Sequence, residues 1–201
     1  MKNSTSMTLA LASLMLTLPS VHANASELDA HEHGSANLDI AIDTSTIEMR
    51  FESPAVNIVG FEYATEDEQQ LLLINKAKSN LSNFDLIYGL VGDVSCQTVK
   101  SSAKWVTEHE AGHDDHEAGH DDHDDHEAVH DDHGEVTKAE HAEFIAEYRL
   151  ECNQLNNLAA IDVKMFEFFP AIEDLDVQVV YSQGQIKYEL DANNTLIKLD
   201  R

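Results

Sequence analysis

Between Glu108 and Glu135 the chain sets eight histidines (His109, His113, His116, His120, His123, His126, His130 and His133) among thirteen carboxylates, with no Lys or Arg. Imidazole and carboxylate are donors that zinc accepts, and copper(II) and nickel(II) compete for the same atoms. The tract has no apolar stripe to pack against a core and no cation to balance its charge. It therefore reads as a metal-binding insertion that is disordered without metal. Histidines three or four residues apart, such as His113 with His116 or His109 with His113, chelate if a helix forms on binding. A disordered chain can equally wrap an ion with distant residues. Such a segment should take several ions, exchange them quickly and release them as falling pH protonates the imidazoles. The bland alternative is a solvated acidic linker with incidental histidines.

Three stretches of the tract, His109–His113, His116–His120 and His126–His130, spell the HExxH pattern of zinc peptidases. That motif works on a rigid helix, where two histidines one turn apart hold zinc and the glutamate activates water. Here the neighbours are Asp-Asp and Gly, which are poor helix formers, and nothing larger than Val129 could anchor an apolar face. Tandem copies suit repeat expansion better than one shaped site. The chain is not read as an enzyme, and a zinc-dependent hydrolase is kept only as a rival.

Outside the tract, beyond residue 25, three further histidines remain: His31, His33 and His141. His31 and His33 are separated by one residue just before the first expected strand, and His141 opens a later one. If those strands adjoin, the three make a folded zinc site; otherwise they are ordinary polar residues.

The elements that would position these residues follow from periodicity. Leu38, Ile40 and Ile42 alternate with polar residues, as do Ile47, Met49 and Phe51, with turn residues Asp43 to Thr46 between them: a hairpin with one buried face. Thr65 and Glu68 have capping-box spacing, and Leu73, Ala77, Leu81, Phe84 and Tyr88 recur at helical intervals as far as Gly89. Val94, Cys96 and Thr98 alternate before the tract, and Phe144, Ala146, Tyr148, Leu150 and Cys152 after it. Ile161, Val163 and Met165 precede an aromatic run ending at Pro170. Val177, Val179 and Tyr181 lead through Ser182-Gln183-Gly184 to Ile186, Tyr188 and Leu190, a second hairpin. Strands in pairs with few helices predict an α+β fold of antiparallel β-sheets. The recurring order of hairpin, helix and strand suggests two similar small lobes. The domain plan is a signal peptide over 1–25, a folded α+β part over 26–107, the His/Asp insertion over 108–135 and the second folded part over 136–201.

The apolar stretch from Met7 to Leu18, behind Lys2 and ahead of Ala23-Asn24-Ala25, has the layout of a secretory signal peptide cleaved after Ala25. It is shorter than the roughly 20 apolar residues of a membrane span, and no later segment approaches that length, so no membrane insertion is expected after cleavage. In an exported chain two cysteines suggest one disulfide, and Cys96 and Cys152 share the apolar phase of the strands flanking the tract. The rival, a pair of thiolate metal ligands, lacks a Cys-x-x-Cys spacing. The formal net charge is −26. That acidity excludes nucleic acid and anionic membrane surfaces as partners and gathers divalent cations instead.

The ordered blocks HEHGSANLDIAID, FESPAVNIVGFE, the His/Asp tract, EFIAEYRLEC, IDVKMFEFFP and DLDVQVVYSQGQ together resemble a family of Gram-negative periplasmic proteins that includes the zinc-regulated zinc-binding protein ZrgA. The resemblance spans nearly all of the chain beyond the signal. It implies a periplasmic accessory to zinc acquisition, working with the solute-binding protein of a zinc ABC transporter. It also implies zinc at the tract and a role for the block containing His31, His33 and Gly34. Relatives often carry His after the Gly-Phe-Glu block, where this chain has Tyr63. The resulting expectation is an exported zinc-binding protein that captures or buffers zinc and passes it to an uptake system. A storage or detoxification sink for zinc, copper or nickel is the alternative.

Overall fold

The alternations at Leu38–Ile42 and Ile47–Phe51 become β1 (Ser35–Ile42) and β2 (Thr46–Pro54), an antiparallel hairpin whose alternate side chains are buried. The computed structural model describes residues 32–107 and 141–199. After β2 come a single helical turn, α1 (Val56–Val59), then α2 (Glu68–Leu81) and a second short turn, α3 (Phe84–Ile87). The strands β3 (Tyr88–Gly92) and β4 (Ser95–Thr107) lead to the tract. Beyond it run β5 (Ala142–Asn153), β6 (Leu158–Val163), β7 (Asp174–Tyr181), β8 (Gly184–Leu190) and β9 (Leu196–Lys198).

Six strands form one sheet in the order β4-β5-β2-β1-β7-β8, and three form a second in the order β3-β6-β9. The expected α+β class with antiparallel sheets and few helices is present, with one exception: β1 lies parallel to β7. Two similar lobes do not form among the described residues. Strands from both sides of the tract are interleaved in the six-stranded sheet, and their inward side chains share one core with Ile74, Ala77 and Leu81 of α2 and Ile161 and Ile197 of the smaller sheet. A local repeat of hairpin, helix and strand cannot specify this, because the deciding contacts, β2 on β5 and β1 on β7, join residues far apart in sequence.

The helix also departs from expectation. Asp67, two residues after Thr65, is its N-cap, accepting from the backbone N–H groups of Gln69 and Gln70 at 2.9 and 3.0 Å. It ends at Leu81 rather than continuing to Gly89. Asn83 then caps α3 by accepting from Leu86 N, and Tyr88 already belongs to a strand. Leu73, expected on the core face, is 48 % exposed, and the buried face runs through Ile74, Ala77 and Leu81.

Cys96 and Cys152 are direct partners in the β4–β5 ladder and form a disulfide. This bridge does not hold the ends of the tract together. The tract leaves and re-enters the sheet at the opposite end, where Thr107 pairs with Ala142. Eleven residues separate Cys96 from Thr107 along β4, which at about 3.3 Å per residue is roughly 35 Å. Main-chain hydrogen bonds of the ladder, not the disulfide, close the tract's base.

Candidate metal site

α1 is the hub from which the site is built. Asn57 is 3 % exposed, and its side chain reaches the segment that carries His33. Its Oδ1 accepts from Gly34 N at 2.8 Å, and its Nδ2 donates to Ser35 O at 2.8 Å and to Ser53 Oγ at 3.2 Å. The Gly34 carbonyl is held from the other side by the N–H groups of Glu173 and Asp174 at 2.8 and 3.1 Å. The turn bearing His33 is thus fixed by α1 and by the start of β7.

The same hub reaches the other two segments. Ala55 N donates to Ala142 O at 2.9 Å, which anchors the residue after His141. α1 ends on Gly60, whose φ of 85° is the left-handed cap that glycine adopts without a Cβ penalty. The chain then turns through Phe61, Glu62 and Tyr63. Phe61 packs on Trp105 of β4 with ring centroids 5.8 Å apart, and Trp105 meets Phe144 of β5 edge-on at 5.2 Å. Tyr63 contacts Phe61 at 5.4 Å, and its hydroxyl accepts from Gln70 of α2 at 2.8 Å.

Between these aromatic residues Glu62 turns towards two histidines from opposite sides of the tract. Its Oε1 lies 3.4 Å from His33 Nε2 and 3.1 Å from His141 Nδ1. The side chain of Glu62 is 22 % exposed, against 64 % for His33 and 41 % for His141. Its second oxygen, Oε2, is buried and has no hydrogen-bond partner among the described residues. Among the described residues no group of three or more His, Cys, Asp or Glu side chains is placed to hold a metal ion. What the fold supplies is two imidazoles addressing one carboxylate oxygen, beside the strand ends from which the tract departs.

Of the histidines expected to bind metal, His33 and His141 are therefore brought together. His31 and the tract residues His109, His113, His116, His120, His123, His126, His130 and His133 lie outside the described residues, as does the expected signal peptide. Sequence reasoning missed Glu62 and Asn57. Glu62 did carry a signal, an acid between two aromatics in a block already singled out at the next position, Tyr63. Nothing in the spacing marked Asn57.

The model of the family described as "ZrgA family zinc uptake protein" matches residues 30–199, which takes in every described residue. The chain belongs to the ZrgA family. No curated protein matches the chain. Membership ties the chain to zinc uptake. Among the described residues no helix is long and apolar enough to cross a membrane.

Proposed function

We propose that this protein is exported to the periplasm, captures zinc there and passes it to an uptake system, with the solute-binding protein of a zinc ABC transporter as its receiver. The observation that carries the reading is the meeting of His33 and His141 at the end of the sheet where Thr107 and Ala142 close the base of the His-rich tract. Membership of a zinc uptake family supports the direction of transfer. In this reading the tract gathers several ions through His109, His113, His116, His120, His123, His126, His130 and His133. The folded residues beside its base, with His31 as a nearby donor, hold one ion for transfer. The net charge of −26 raises the local concentration of any divalent cation and makes capture sensitive to ionic strength. Catalysis plays no part in this reading.

The test is calorimetry of the metal-stripped full-length protein against zinc, copper and nickel, followed by transfer of zinc to the periplasmic solute-binding protein. More than one zinc per chain, with loss of zinc to the receiver faster than free dissociation allows, is expected. Tighter binding of copper or nickel than their ordinary ranking gives, or no transfer, would favour a sink.

A further inference from the structure

We infer that Glu62 is a metal ligand, and that His33, Glu62 and His141 form a folded zinc site distinct from the His/Asp tract. The inference rests on the zinc-handling reading above and adds a ligand that the reading does not name.

Zinc binds nitrogen and oxygen at about 2.0–2.2 Å, so two donors on one tetrahedral ion lie roughly 3.3–3.6 Å apart. The separations from Glu62 Oε1, 3.4 Å to His33 Nε2 and 3.1 Å to His141 Nδ1, are close to two edges of such a tetrahedron. His33, whose side chain is 64 % exposed, has the freedom to turn towards an ion shared with the other two.

The chemistry of the contact points the same way. His141 Nδ1 is within hydrogen-bond distance of Glu62 Oε1 at 3.1 Å, and His33 Nε2 is within ion-pair distance at 3.4 Å. On a shared zinc His33 would bind through Nε2 and His141 through Nδ1, each neutral ring carrying its proton on the far nitrogen. Neither Lys nor Arg pairs with Glu62 among the described residues; its ion-pair partners there are the two imidazoles. Glu62 is only partly sheltered, at 22 % exposure, but its Oε2 is buried and lacks any donor among those residues, a position that a positive charge would favour. The Phe61–Trp105–Phe144 wall shields the loop from one side, where a lower dielectric strengthens the ion–carboxylate attraction. The exposed side leaves room for water or an incoming ligand of the receiver.

The experiment is a zinc titration of the full-length protein, followed by NMR of the imidazole nitrogens and the Glu62 carboxyl carbon. His33 Nε2, His141 Nδ1 and the Glu62 carboxyl should move together with one midpoint. In Glu62→Gln, which keeps the shape and one acceptor oxygen but removes the charge, the two histidines should need at least tenfold more zinc while the tract imidazoles titrate as before. Unchanged midpoints in Glu62→Gln, or a Glu62 carboxyl signal that does not move in the unaltered protein, would overturn the assignment. Should Glu62→Gln fail to fold, the carboxyl signal of the unaltered chain decides alone. If the tract responds and His33 and His141 do not, the folded site is refuted and the zinc-handling reading stands. If no imidazole responds, that reading falls with it.

Discussion

Replacing Asn57 by Ala should loosen the His33 turn from α1 and lower stability together with zinc binding at His33. The substitution removes two side-chain bonds to backbone at 2.8 Å and one to Ser53 Oγ at 3.2 Å. A typical net hydrogen bond contributes about 1 kcal/mol, and a partner left buried and unpaired costs about 1–3 kcal/mol. Gly34 N is only part-buried and can recruit water, so the total should fall near 3 kcal/mol, within the usual range for a broken buried polar network. For a domain of this size each kcal/mol lowers Tm by roughly 2–4 °C, so a fall of about 6–12 °C is expected. Thermal and urea unfolding of metal-free full-length protein would measure it. Asn57→Asp keeps the acceptor for Gly34 N and loses the donor to Ser35 O, but buries a charge, so it should be no milder than Ala. In zinc titrations of Asn57→Ala below its Tm, the His33 signal should weaken more than that of His141, which α1 anchors separately through Ala55 N and Ala142 O. A stability loss under about 0.5 kcal/mol, the scale of an ordinary surface change, would refute the view that Asn57 fastens this turn.

Cys96→Ser with Cys152→Ser should cost about 4 kcal/mol by the chain-entropy estimate for a separation of 56 residues, while zinc binding at His33 and His141 stays unchanged; altered zinc binding would contradict the distance between bridge and site. Removing residues 108–135 should lower the zinc stoichiometry in calorimetry yet preserve the fold, because residues 136–141 remain to close the β4–β5 hairpin between Thr107 and Ala142; loss of the folded circular-dichroism signal would show that the ladder alone cannot close the base. Gly92→Ala should be among the most damaging small changes: φ is 137° and a Cβ there would meet Asn157 O at 2.1 Å, so backbone must move, at a cost expected to exceed about 2 kcal/mol in urea unfolding. A zinc-loaded peptidase assay should show no turnover that a chelator abolishes, despite three HExxH spellings.

How much of this was legible depended on whether the deciding interaction was local. The two hairpins were readable because alternation over Leu38–Ile42, Ile47–Phe51 and Val177–Leu190 is what a half-buried strand requires, and a slip of one residue would expose every apolar side chain. The disulfide was readable because both cysteines keep the apolar phase of their strands. The helix end was not. Phe84 and Tyr88 continue the helical spacing by chance, and the stop comes from Ser82 and Asn83, where the Asn83 side chain starts a new turn. Three consecutive leucines, Leu71, Leu72 and Leu73, cannot all face one core on a helix, so the choice of Leu73 rested on spacing that Ile74 satisfies better.

The site was half legible for the same reason. Histidines stand out by residue type, so His33 and His141 could be named, but a ligand set is a statement about distances that local pattern does not contain. The fold brings them together by long-range pairing: β2 against β5 carries His141 to the end of α1, and β1 against β2 carries His33 to the same place. Glu62 then enters only because Gly60 turns the chain and Phe61 fixes it against Trp105. An acidic residue in a chain with 38 of them carries no distinguishing mark by type. Its mark is a half-sheltered carboxylate that no Lys or Arg pairs with among the described residues, which appears only once the sheet is assembled. That division assigns different work to the two parts of the molecule. Composition alone equips the tract to attract ions, whereas holding one ion at a defined place, within reach of a receiver, needs the sheet.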